Sequence, residues 1–225
     1  MNDEPPQQPP DSSADGREPR SLPLDRFNAF SDGVFAIAIT LLVLEIAVPA
    51  EGVRLLPALR EQWPEFLGYY ISFAFIGGIW LTHSGVTKYM RRGDSVAYAL
   101  NLLLLLFVGL LPFATSLMVT HLSGADVEIA VLLYGVDLML ATLTLSLLIL
   151  YVAREPALLV DEIDEATLRR VVRQRWASIG LNVVAIVFAL VAPQVAVGLY
   201  LLQTMILLVL PLLGSRRHRR QRRAG

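Results

Sequence analysis

Residues 96–120 read VAYALNLLLLLFVGLLPFATSLMVT, 25 residues without an aspartate, glutamate, lysine or arginine. A helix rises about 1.5 Å per residue and a bilayer core is about 30 Å thick, so roughly 20 such residues cross it. A helix in a soluble domain keeps a polar face; here Asn101 and a few hydroxyls are the only polar side chains. The rest of the chain agrees. Of 225 residues, 55% are apolar and 17% charged, with a mean hydropathy of +0.55. An ordinary globular domain carries about 25% charged residues.

Five more apolar spans flank this one, at about 25–48, 66–87, 127–153, 175–191 and 194–213. The last two come from one uncharged run, Trp176 to Ser215, which is long enough for two crossings. Ala192-Pro193-Gln194 breaks it in the middle. The predicted fold class is therefore an all-α membrane protein with six transmembrane helices per chain, filling residues 24–214. Residues 1–23 hold six of the thirteen prolines among Ser, Asp and Gln, a composition too polar to form a core, and are expected to be a disordered cytosolic tail. They lack the basic start and short apolar run of a signal peptide. Residues 215–225 form a basic cytosolic tail.

The net charge of −1 conceals a sorted distribution. With six spans, one side of the membrane holds Arg17, Arg20 and Arg26, then Lys88, Arg91 and Arg92, then Arg154, Arg169, Arg170, Arg173 and Arg175, then six arginines between 216 and 223. The other side holds Arg54 and Arg60. The positive-inside rule places both termini in the cytoplasm. The preference for arginine over lysine (Lys88 is the single lysine) fits a GC-rich bacterial genome. Residues 216–223 resemble a nucleic-acid patch, but they follow a span directly, so they are read as an anchor on anionic lipid, with no nucleic acid as partner. Asp161, Glu162, Asp164 and Glu165 precede a run of arginines, acid first and base last, as suits a cytosolic helix. Carboxylates are also the right ligands for a divalent ion, yet no binding-loop pattern accompanies them, and no metal or cofactor is assigned. With no cysteine, a disulfide, a thiolate metal site and a cysteine nucleophile are all excluded.

Ionisable groups are costly in lipid and face protein or a water path. Asp32 in the first span, His83 in the second and Asn101 in the third all fall toward the cytosolic leaflet. Their convergence predicts a hydrogen-bond network joining three spans, with Arg26 and Ser31 in reach. Asp32 could instead be a helix N-cap, with Ser31-Asp32-Gly33 as the last turn before the span. Glu45 stands alone near the outer end, and Asp137 interrupts the fourth span as a pore group, inter-helix glue or proton site. Ile37, Thr40, Leu41, Leu44 and Val48 share one helical stripe, with Asp32 and Gly33 extending it inward. Core packing is the plain reading of such a stripe; copies of it around an axis would make apolar rings, which gate pores by dewetting.

The run from Arg26 to Ile46, RFNAFSDGVFAIAITLLVLEI, resembles the first-helix signature of the transmembrane protein 175 family: Arg, three residues, Phe-Ser-Asp, then an Ile/Thr/Leu-rich helix. Trp80 and His83 keep the spacing of that family's second helix, and Asn101 and Pro112 of its third. The resemblance implies a potassium-permeable cation channel. Single-repeat bacterial members assemble as homotetramers, and this chain has one repeat. It further implies that the first helix lines the pore, with Ile37 the constriction, Leu41 and Leu44 further layers, and Thr40 the residue behind K⁺ preference. Arg26, Phe30, Ser31 and Asp32 would hold the inner helix ends together with His83, and Trp80 and Asn101 would belong to the same bracing set. The expected partners are K⁺, further copies of the chain and membrane lipid, and the expected location is the cell membrane.

No Thr-Val-Gly-Tyr-Gly loop or re-entrant segment separates the spans, so a carbonyl-lined K⁺ filter is excluded. Selectivity would rest on pore width, Thr40 and dehydration. An ion- or proton-coupled secondary transporter, using Asp137, Glu45 and His83 as a relay, is the alternative; the broken helices and inverted repeats of that class are missing. A non-conducting scaffold is a further alternative. An intramembrane enzyme lacks a nucleophile–base motif.

Overall fold

The computed structural model describes residues 24–160 and 165–206. Helix α1 spans Leu24–Leu41 and tightens into a 3-10 turn at Leu42–Glu45; α2 is Leu55–Glu61, α3 Trp63–Thr87, α4 Ser95–His121, α5 Val127–Arg154 and α6 Glu165–Ala189, with a second 3-10 turn at Pro156–Leu158. A last helix, α7, covers Pro193–Ile206. Among the described residues four helices are long and apolar enough to cross a membrane: α1 with its 3-10 extension, α3, α4 and α5. The apolar part of α6, Arg175–Ala189, and α7 are shorter. The end of the span expected at 194–213, the tails at 1–23 and 215–225, and the acidic residues Asp161, Glu162 and Asp164 lie outside the described residues.

Helix boundaries follow local chemistry. Asp94 caps α4, its carboxylate accepting the Ala97 N–H at 2.9 Å. Pro64 opens α3, where a missing N–H costs nothing, and Glu65 complements the dipole of the first turn. These features start α3 earlier than the hydropathy boundary at 66. The first helix decides the alternative for Asp32. It begins at Leu24 and runs unbroken through Asp32, so Asp32 is a mid-helix residue and not a cap. The α-helix ends at Leu41 and its 3-10 extension at Glu45. Thr40 turns its hydroxyl onto the Ile37 carbonyl at 2.9 Å, the chain tightens at Leu42, and Val48 precedes a proline, which disfavours helix there.

Helix α4 is the hub, touching α1, α3 and α5, while α6 packs on α5. Gly68 lets α3 approach α4 closely, since a Cβ there would collide with Val119 and crowd Thr115. Gly135 does the same for α5, where the Tyr200 hydroxyl of α7 lies over its backbone. A relay of hydroxyls crosses three helices inside the core. Tyr134 bonds Ser72 (3.0 Å), Ser72 bonds Thr115 (2.7 Å), and Thr115 donates to the Leu111 carbonyl (2.7 Å).

One end of the bundle is stitched together by backbone. Met90 and Leu159 form an antiparallel bridge, the Arg91 N–H reaching the Leu158 carbonyl (2.7 Å) and the Val160 N–H that of Tyr89 (2.9 Å). Met90, Ala97, Leu148, Val152, Leu158 and Leu159 make a small core here, and Leu24 of α1 packs against it. The Tyr151 hydroxyl closes the stitch by donating to Asp94. Trp63 marks the opposite end, a full α3 length away.

Candidate functional site

Helix α1 has two unlike faces. Phe27, Ser31, Phe35 and Ala38, followed by Leu42, are buried against α3 and α4. The other face stays uncovered. Phe30 is 57% exposed, Ile37 60%, Leu41 42% and Leu44 74%, and Gly33 and Thr40 are exposed between them. Spacing explains the division. Positions 27, 31, 35, 38 and 42 recur every three or four residues, as do 30, 33, 37, 40/41 and 44, on opposite sides of one helix.

The buried face carries a directional hydrogen-bond chain. Asn101 of α4 accepts from His83 Nε2 at 2.8 Å through its carbonyl oxygen and donates through Nδ2 to Ser31 Oγ at 2.9 Å. Ser31 donates onward to the Phe27 carbonyl at 2.9 Å. His83 is almost wholly buried, with its ring stacked on Phe27 (centroids 6.0 Å) and tilted against Phe35 (5.6 Å). On the exposed side, Trp80 Nε1 donates to Asp32 Oδ1 at 2.8 Å. Two ties therefore fasten α1 to its own chain, a buried one through Asn101 and an exposed one through Trp80.

The sequence pointed to eleven residues here. Ser31, Asp32, Trp80, His83 and Asn101 meet in these ties. Ile37, Thr40, Leu41 and Leu44 line the uncovered face, with Phe30 near the stitched end. Arg26 was expected within reach of the network; it is exposed and takes no part in these bonds. Two rings flank His83, Phe27 and Phe35, which the sequence did not single out; their places one turn before and one turn after Ser31, on its face, were the available signal. Asp137 is 4% exposed, and neither carboxylate oxygen has a hydrogen-bond partner. Glu45 closes the 3-10 turn, half-buried and apart from both ties.

A face of apolar side chains and one hydroxyl, held rigidly from behind, offers a surface for other chains or for a permeating ion. Among the described residues no group of His, Cys, Asp and Glu is placed to hold a metal ion.

Comparison with known proteins fits this geometry. The family profile "Endosomal/lysosomal potassium channel TMEM175" matches residues 26–112. A potassium channel of Chamaesiphon minutus is 33% identical over 184 residues, covering 80% of this chain and 91% of that one. A potassium channel of Streptomyces collinus is 38% identical over 155 residues, covering 68% and 75%. The endosomal/lysosomal proton channel TMEM175 of Bos taurus is 42% identical over 124 residues, 48% of this chain and 26% of its own length. The crystal structure of a lysosomal potassium-selective channel TMEM175 homolog from Chamaesiphon minutus superposes with a TM-score of 0.75 at 30% identity, covering 83% of this chain and 96% of that one. An all-α membrane protein related to ion channels is the class so defined. The chain belongs to the TMEM175 family.

Proposed function

We propose that this chain forms a passive potassium-permeable channel, a homotetramer in which the uncovered face of α1 lines a central pore. The observation that carries the reading is the division of α1: one face is locked onto α3 and α4, while the opposite face, apolar around Thr40, is left open by its own chain. One such face cannot enclose a path, so copies must complete it; the number four rests on the family resemblance. Ile37 then forms the constriction, and Leu41 and Leu44 form further rings. A ring of this kind dewets when narrow and forces a cation to shed water. Thr40 supplies a hydroxyl oxygen among them. Its proton is spent on the Ile37 carbonyl at 2.9 Å, which leaves the oxygen lone pairs available to a cation. The Asn101 and Trp80 ties would brace the lining helix, with Arg26 and Phe30 completing the motif at contacts between chains.

The reading includes six crossings in the cell membrane, with α6 and α7 as the two shorter ones, and both termini in the cytoplasm. The arginine-rich residues 216–223 would rest on anionic lipid. Support for K⁺ as the ion comes from the bacterial relatives, named potassium channels. Animal relatives named proton channels make proton flux the control to run.

Reconstitution tests all of this. The purified protein should have the mass of an oligomer in detergent and release K⁺ from liposomes at a rate that follows voltage without a proton gradient. Ile37→Asn should wet the constriction, raising conductance and lowering the preference for K⁺ over Na⁺. A monomer without flux, or an Ile37→Asn variant with unchanged currents and reversal potential, defeats the proposal.

A further inference from the structure

At the Trp63 end of the bundle, α3, the turn after α4 and the start of α7 line a crevice of about 410 Å³. Leu67, Leu122, Val197 and Leu201 form apolar walls. Ser123 and Gln194, both exposed, stand in its lining beside the Trp63 indole. Gly198 also lines it, and a Cβ built there meets nothing within 4 Å, so the space lies directly over the α7 backbone.

We propose that this crevice binds one acyl chain of a membrane phospholipid, with the headgroup at Ser123 and Gln194. Three observations favour that occupant. The volume lies in the range of ligand sites, roughly 300–1,000 Å³. At about 30 Å³ for a water-sized group, it holds on the order of a dozen methylenes. The walls are hydrocarbon while the polar groups Ser123 and Gln194 stand where α4 ends and α7 begins, the order of an amphiphile lying at a membrane surface. A tryptophan at the first residue of a spanning helix marks that same interface.

A phosphatidylcholine carrying a diazirine in its acyl chain tests this in liposomes containing the full-length protein. After illumination, peptide mapping should find adducts on Leu67, Val197 or Leu201. Gly198→Phe fills the open space and should cut those adducts several-fold, leaving adducts on the exposed Leu106 of α4 unchanged. Gly198→Leu, a smaller filler, should give a partial loss and guards against a folding failure of the larger variant. No adducts in the crevice, or adducts insensitive to both variants, overturn the proposal. Disulfide cross-linking of chains through Val197→Cys, in a protein otherwise free of cysteine, also overturns it, by assigning the crevice to a second copy.

Discussion

Asn101 is the residue through which α1, α3 and α4 are joined. Its carbonyl oxygen accepts from His83 and its amide donates to Ser31, so the imidazole must carry a proton on Nε2. Asn101→Ala strands that buried N–H and should lower stability by about 1–3 kcal/mol, seen as a lower melting temperature in detergent. His83→Phe with Asn101→Leu removes both partners and should recover most of the loss, because replacing a bonded pair by apolar groups is far milder than orphaning one. Equal losses in both variants would mean that packing, and not hydrogen bonding, accounts for the site. Thr40→Val keeps the shape and deletes the hydroxyl on the open face. Bi-ionic reversal potentials should then move K⁺ over Na⁺ preference toward unity with current retained. Asp32, His83 and Asn101 were legible in the sequence because polar groups are scarce in apolar spans. Phe27 was not, since one aromatic among many carries no address until the helix face it shares with Ser31 is known.

At the scale of elements, the close approaches matter most. Gly68 brings α3 against Val119 of α4, so Gly68→Val should disrupt the pair and reduce the yield of folded protein. Adding Val119→Ala should restore much of it; a failure to rescue would place the defect in α3 itself. At the stitched end, Asp94 both caps α4 and accepts from Tyr151. Asp94→Ala should cost about 1–2 kcal/mol by thermal melting. The positions of the long helices were visible as runs of apolar residues, because hydropathy measures what a bilayer demands. The end of α1 was not. Residues 46–48 are as apolar as those before them, and only the tightening after Thr40 and the approach to Pro49 turn the chain aside. The Tyr134–Ser72–Thr115 relay was invisible for a related reason: hydroxyls barely register in hydropathy, and their pairing needs three helices in place.

For the whole molecule, the sorting of arginines makes a direct forecast. Green fluorescent protein fused to either terminus should fluoresce in bacterial cells, whereas alkaline phosphatase inserted at Gly124 should be active outside. Activity at either terminus would invert the orientation. The open face of α1 reaches further than any one chain. A lining shared among copies makes each copy answerable for the whole passage, so inheritance of a defect becomes a matter of dosage. Co-expressing Ile37→Asn with the unaltered chain should yield not two populations of currents but a ladder of unitary levels. If the copies enclose a pore as proposed, the compositions, and so the rungs, number one more than the copies.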